Sequence, residues 1–457
     1  MNIAIIGAFF LGMVLVGIYN LKKITGPLSY FVADRSGSTA AVAASLLATI
    51  IGGSSTVGLA GLGYARGLVG AWWMLVGVIG LGALSLSLAE RVRRYDVYTL
   101  PEILERQYGE TSLKVVASAL IACAWLGIIA AQFIAAGKIL SALWPGHFDL
   151  LMISAATVCI TYTVLGGQYS ILRTDLIQSV FILAGIAVAV AAGIGAAGGM
   201  TGMAAQLPPS HFAFPTSPAF SAMDLLTFLF FVGATFLVGP DIYSRIFCAK
   251  DPPTARKALT LTAVIMIPLA FSITLIGMAA RVILPGIPPE TALPSLVMTC
   301  LPIGLNGLVM AALLAAVMSS ADTCILTTST ILSADVIQPL TGSSMTDRGL
   351  LATSRIVALI VGSGALIIAL KIGGIIASLL LGYTIYSGGL IIPVLLGFYR
   401  KGLGLTARGA AISIMAGGGL ALFLKLSGYD TMMLITIPVS AIVLFAGSWC
   451  ERHIRGL

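Results

Sequence analysis

The sequence predicts an all-α integral membrane protein of thirteen transmembrane helices, and three observations predict it. The 457 residues are 58% hydrophobic and 9% charged, where a soluble domain carries about 25% charged residues. Apolar stretches of about 20 residues, enough to cross a bilayer, recur from end to end with short connections between them. Lysines and arginines concentrate in alternate connections, as the positive-inside rule requires. Polar segments are all too short to build a soluble domain, so one transmembrane domain is expected over 1–457.

Residues 1–23 lack the basic leader and small-residue cleavage site of a secretory signal. They read as a retained first helix over 3–20, with Lys22 and Lys23 as its basic flank. Further spans are expected near 38–65, 68–90, 114–140, 149–166, 175–198, 222–244 and 257–284. The remaining ones fall near 302–333, 350–371, 375–399, 405–425 and 431–449. With the N-terminus outside, only Arg66, Lys138, Arg281, Lys371 and Lys425 of the 25 lysines and arginines fall in external connections. Missing one helix would scramble that bias, so the predicted topology is N-terminus extracellular or periplasmic and C-terminus cytoplasmic, in the cell membrane.

The net charge of +8 is thereby assigned to the lipid bilayer and not to nucleic acid. Cys123, Cys159, Cys248, Cys300, Cys324 and Cys450 are scattered without CxxC pairs, and read as small packing residues rather than a disulfide framework or zinc site. His147, His211 and His453 are isolated and receive no role.

Two spans are interrupted. The second contains Thr49-Ile50-Ile51-Gly52-Gly53-Ser54-Ser55-Thr56, where each glycine costs a helix interior about 1 kcal/mol and the hydroxyls compete for backbone groups. The seventh contains Gly233 and then Gly239-Pro240. Single glycines in such a chain allow close helix packing. The Gly-Gly-Ser-Ser-Thr run reads instead as a true unwinding, because packing does not require adjacent glycines flanked by hydroxyls. The two breaks lie five helices apart, so they occupy corresponding positions in two five-helix halves related by inversion, with a binding site at the midplane. The expected division is 1–37 for an extra N-terminal helix, 38–198 for the first repeat, 222–400 for the inverted second and 401–457 for the C-terminal helices.

The ninth span carries Ser319-Ser320-Ala321-Asp322-Thr323 in its middle. A carboxylate at that depth costs roughly 2.5–3.5 kcal/mol on insertion scales, which marks it as functional. The run offers hard oxygen ligands and no soft ones, suiting a small hard cation. An unwinding near Gly52 frees carbonyls about one turn earlier, with Ala48 and Ile51 well placed. Ala316 and Ser319 share a helical face, and Ser320 lies beside them. Two carbonyls from one helix, with one carbonyl and two hydroxyls from the other, would make a five-oxygen sodium site. The bland possibility is that these serines bond back to their own helix or glue helices together.

Residues 311–337, AALLAAVMSSADTCILTTSTILSADVI, resemble the corresponding helix of the sodium:solute symporter family, which includes proline, sialic acid and galactose symporters. The segment from Ser45 to Ser54 resembles that family's first core helix. Gly166-Gly167-Gln168 with Arg173-Thr174-Asp175 resembles the entry into its fifth, and Tyr243 to Asp251 the end of its sixth. The resemblance covers nearly the whole chain and implies a leucine-transporter-like fold of five plus five inverted helices, with one extra helix before and two after. Carried over by position, the family's shared sodium site falls on Ala48, Ile51, Ala316, Ser319 and Ser320. A second sodium site, present in some members, would use Asp175, Ser319, Asp322 and Thr323. Members with two-sodium coupling have serine where this chain has Asp322, so that acid could strengthen the site, hold a proton or pair with a neighbour. Asp175 has the competing role of an N-cap, since Thr174-Asp175 opens a predicted helix. Asp241 and Arg245, four apart, are expected to pair with each other.

The solute is expected between the two broken helices, against Ser54, Ser55, Thr56, Gln132, Thr235, Phe236 and Tyr383. Trp72 and Trp73 read as interfacial anchors. Without an arginine or lysine at that depth, the solute leans toward a neutral, zwitterionic or small-carboxylate compound. The expected function is sodium-coupled import of a small organic solute by alternating access, with sodium as coupling ion and no cofactor. Proton coupling through Asp322 or Asp175, or a sensor that binds solute without moving it, are the alternatives. A buried-serine hydrolase is disfavoured, because no histidine accompanies the deep serines and neither GxSxG nor HExxH occurs.

Overall fold

A computed structural model describes residues 2–21, 24, 26–341 and 345–455; Lys22 and Lys23, the expected basic flank of the first helix, lie outside the described residues. The described residues are helical almost throughout, with two isolated β-bridges and no strand among them. Ten helices are long and apolar enough to cross a membrane, and Ala4–Val16 and Thr39–Ile50 are shorter apolar ones. Among the ten, Phe148–Ala196 has 49 residues. At 1.5 Å per residue it would measure about 74 Å, more than twice the ~30 Å hydrocarbon core. It is divided by Gly167, whose φ of 57° and ψ of −175° leave the helical region. A side chain there would be doubly excluded, since a Cβ would stand 2.4 Å from the Tyr30 ring. The predicted spans 149–166 and 175–198 correspond to the two limbs of this bent helix.

Local chemistry starts the helices where the sequence supplies an oxygen. Ser38, Thr99, Thr346 and Thr406 each accept the amide three residues on at 3.2 Å. Asp251 accepts from Thr254 at 2.8 Å, with Pro252 in the first helical position, where a missing N–H costs nothing. The sequence pattern leaves out several short helices in the connections. One is the amphipathic Leu100–Tyr108; another is Ala292–Cys300.

At the centre stands Leu305–Thr330, buried over nearly its whole length. It packs on Phe148–Ala196, Thr111–Leu143, Thr39–Ile50 and Asp347–Ile372. The N-terminal helix Asn2–Leu21 lies against it and Phe148–Ala196 from outside, while Ala407–Leu426 and Thr436–Arg455 pair with each other and with Ile375–Gly397.

Among the described residues, the ion pairs outside the buried Arg245–Asp175 pair fall into two sets. Arg35–Asp96, Arg94–Glu90, Lys114–Glu105, Arg256–Glu90 and Arg408–Glu451 join connections assigned to the cytoplasmic side. Lys138–Glu290 and Arg281 over Tyr64 join those assigned outside.

Candidate functional site

Both predicted breaks are present. Helix Thr39–Ile50 ends at Ile51, whose ψ of 56° turns the chain out of the helix; after Gly52 and Gly53 it resumes as a wide π turn over Ser54–Gly58. Unwinding and close packing both act here. A Cβ on Gly52 would stand 2.3 Å from Ser320 Oγ and 2.7 Å from Gln132 Oε1, and one on Gly53 2.2 Å from Ala135 Cβ. The Gln132 side chain accepts the freed Gly53 amide at 2.8 Å. The second break lies at Gly239-Pro240, between Ala234–Val238 and Pro240–Cys248. Tyr386 donates to the last carbonyl before it, that of Val238, and Ser387 Oγ donates to Phe231 O at 3.1 Å.

Opposite the first break, Ser319 Oγ lies 2.8 Å from Ala48 O and 3.0 Å from Ala316 O. Ser320 Oγ lies 2.5 Å from Thr49 O, 3.1 Å from Ala316 O and 3.5 Å from Ala48 O. Ala48, Ala316, Ser319 and Ser320 thus meet, fully buried or nearly so. Thr49 joins them by its carbonyl, a partner that counting back one turn from Gly52 does not single out. Ile51 is the residue that ends the helix, and the two serine hydroxyls bond to Ala48 and Thr49 rather than to it. Three carbonyls and two hydroxyls share two protons between them. Such an oxygen-rich, proton-poor cluster suits a hard cation.

Below this cluster the expected pairing is corrected. Arg245 is wholly buried, and its ion pair is with Asp175 at 3.5 Å, not with Asp241. Its guanidinium also donates to Ser45 at 3.1 Å, Thr49 Oγ1 at 3.2 Å, Gln168 at 3.3 Å and Thr323. Asp175 accepts from Ser45 Oγ at 2.5 Å, while its Oδ1 has no hydrogen-bond partner. The N-cap role is excluded, because Asp175 lies within a continuous helical limb in which Thr174 bonds back to Ile171 at 3.0 Å. Asp322, on Leu305–Thr330, takes the Tyr162 hydroxyl at 2.7 Å. Thr323 Oγ1 donates to Ser319 O at 2.7 Å. Thr49 and Thr323 therefore touch both the serine cluster and the guanidinium. Of the second expected cation set, Asp175 and Thr323 converge on Arg245, and Asp322 turns to Tyr162.

Beside the serine cluster lies a small cavity of about 40 Å³. Ser54, Ser55, Gln132, Phe236 and Tyr383 line it, together with Thr49 and Ser320. Thr56 and Thr235 are not among its lining; their hydroxyls bond back to Gly52 O at 2.8 Å and Val232 O at 2.6 Å. Trp73 and Asp241 line the cavity unexpectedly. Trp73 is buried, and only Trp72 has an anchor's setting, stacked on Phe214 with its indole donating to Pro215 O at 2.9 Å.

A multi-pass helical membrane protein with two broken helices facing a polar centre has the form of a transporter. The chain belongs to the sodium:solute symporter family, whose sequence profile matches residues 30–417. It is 26% identical over 440 residues to a sodium/glucose cotransporter of Vibrio parahaemolyticus, covering 87% of this chain and 79% of the relative. It is 26% identical over 424 residues to the sodium/pantothenate symporter of Escherichia coli K12, covering 89% and 86%. A mouse sodium/myo-inositol cotransporter is 25% identical over 411 residues, and there the match spans 78% of this chain but 56% of the relative. The structure of a Na+-coupled sialic acid symporter in a substrate-bound outward-open state superposes with a TM-score of 0.82 at 20% identity, covering 98% of this chain and 97% of that one. A transporter solved with L-phenylalanine gives 0.60 at 14% identity, covering 89% and 99%. These likenesses establish the fold; the relatives are sodium-coupled symporters, and this chain is one by family.

Proposed function

We propose that the protein imports a small organic solute with sodium, which binds between the Ala48 carbonyl, the Ala316 carbonyl and the hydroxyls of Ser319 and Ser320. The Ile51 carbonyl is assigned as the fifth ligand, reached when the serine protons turn away from Ala48 and Thr49. One observation carries this: the convergence of carbonyl and hydroxyl oxygens from two helices at a break in one of them. Sodium would replace the hydroxyl protons as their common partner, tying the first broken helix to Leu305–Thr330.

Coupling is assigned to a single sodium ion. The set expected to hold a second cation already holds the Arg245 guanidinium against Asp175 and Thr323, and a fixed positive charge there opposes another. The solute is assigned to the cavity lined by Ser54, Ser55, Gln132, Phe236 and Tyr383. Because Ser320 belongs to both places, sodium binding shapes the solute wall, and each ligand raises affinity for the other.

Thirteen crossings are proposed, in two inverted five-helix repeats over 38–198 and 222–400, with 1–37 and 401–457 outside them. The short apolar helices and the bend at Gly167 support that number. The two sets of ion pairs support a cytoplasmic C-terminus and an extracellular or periplasmic N-terminus in the cell membrane.

The test is thermal stability of the purified protein against a solute library, in sodium and then in potassium. Stabilisation that needs both sodium and one solute class is expected. No difference between the two cations with any solute would defeat the proposal.

A further inference from the structure

The solute cavity contains one formal charge, the carboxylate of Asp241, and no lysine, arginine or histidine lines it. Asp241 makes no ion pair among the described residues; the nearest arginine on its helix, Arg245, is directed to Asp175. It lies in the first turn of Pro240–Cys248, and that turn's free amides give a carboxylate some local support. Asp241 Oδ1 lies 2.7 Å from where a Cβ on Gly239 would stand, so the carboxylate leans back over the break and into the cavity. The rest of the wall is mixed: Trp73, Phe236 and Tyr383 face it with Ser54 and Ser55, beside the aliphatic Ile50, Ile128 and Val232.

We infer that the transported solute carries a cationic nitrogen, held by the Asp241 carboxylate against the faces of Trp73, Phe236 and Tyr383. This rests on the proposed solute cavity. A carboxylate half-withdrawn from water with backbone amides but no counter-charge is incompletely satisfied, and a cation is the ligand that completes it. Aromatic faces attract cations and do nothing comparable for anions. An anionic solute would meet Asp241 with no positive side chain to offset it, so this wall selects against carboxylates. A neutral polyol would gain the hydroxyls and leave the charge unmet. Cationic solute and sodium then enter together, and Asp241 offsets the repulsion between them across Ser320.

The experiment measures melting temperature of the full-length protein, in sodium and in potassium, with methylammonium, guanidinium, tetramethylammonium and choline. The uncharged choline isostere 3,3-dimethylbutan-1-ol serves as the matched neutral probe. At least one cation is expected to stabilise the protein in sodium, with the isostere ineffective. Asp241→Asn should weaken that response about tenfold or more, as expected for losing a charge-assisted contact, while stabilisation by sodium alone persists. Asp241→Glu keeps the charge and should retain the response, which separates lost charge from a folding defect. Equal responses to choline and its isostere, an undiminished response in Asp241→Asn, or no response to any cation while sodium alone stabilises would each overturn the inference. Loss of the sodium response in Asp241→Asn would make Asp241 an ion ligand and overturn it too. Absence of any sodium-specific effect in the unaltered protein is the separate failure of the symport proposal.

Discussion

Gly52→Ala places a methyl group where the first break meets the central helix. The added carbon would stand 2.3 Å from Ser320 Oγ and 2.7 Å from Gln132 Oε1. Neither neighbour is free to yield, because Ser320 Oγ is held at 2.5 Å by Thr49 O and Gln132 Oε1 at 2.8 Å by the Gly53 amide. Overpacking of this kind costs about 1–3 kcal/mol. If the strain falls on the sodium-bound arrangement, the same 1–3 kcal/mol weakens sodium binding about 5–150-fold. The assay is a sodium titration of melting temperature at fixed ionic strength. A control isolates packing from ion binding. Gly53→Ala meets Ala135 Cβ at 2.2 Å, and adding Ala135→Gly should recover stability there, whereas Ala135→Gly should not rescue Gly52→Ala. An unaltered sodium midpoint in a folded Gly52→Ala protein would refute the placement of the ion beside this break.

Ser319→Ala and Ser320→Ala should each raise the sodium midpoint about tenfold or more, read by the same titration, with a loss of only about 1 kcal/mol in ion-free stability. Ion-free stability falling while the midpoint holds would reduce these serines to helix glue. Arg245→Met strands Asp175 in the core and should cost about 3–5 kcal/mol, read as melting temperature, with Asp175→Asn restoring much of it. Equal destabilisation in the single and double variants would deny the pairing. In the Leu100–Tyr108 helix, burial works against the Glu105 carboxylate, but hydrogen bonds from Lys114 and Thr111 outweigh it and hold it below the ordinary glutamate range. A depressed carboxylate stabilises the fold above its unfolded pKa, and this is lost as pH falls through the folded value. The melting-temperature gap between the unaltered protein and Lys114→Gln should therefore narrow below about pH 4.5, and a constant gap down to pH 3 would contradict it.

Much of this architecture is written locally. Apolar length marks the helices, and Gly52-Gly53 and Gly239-Pro240 break them because no side chain or amide is available to continue the ladder. Ala48, Ala316, Ser319 and Ser320 follow from helical spacing once the break is placed. What escaped depends on distance along the chain. The distant partners of Arg245 lie 70, 77, 78, 196 and 200 residues away, while the four-residue rule offers Asp241, which faces the other way into the cavity. Trp73 has the composition of a membrane-interface anchor, and nothing in its neighbourhood tells that it is folded inward while Trp72 takes the surface. The hydroxyls of Thr56 and Thr235 satisfy their own helices, a choice set by local geometry and invisible in residue type. Asp241 did carry a usable signal: an acid directly after a Gly-Pro break stands at the start of a helix that opens on the central cavity.

The central claim is that a sodium ion bridges the first broken helix and Leu305–Thr330, with the second oxygen set reserved for Arg245. A structure of the protein with Tl+ replacing sodium, located by anomalous scattering, tests it directly. The account predicts one peak among the oxygens of Ala48, Ile51, Ala316, Ser319 and Ser320, removed by competing sodium. A peak between Asp175, Asp322 and Thr323 instead, or none between the two helices under conditions where sodium stabilises the protein, would contradict it.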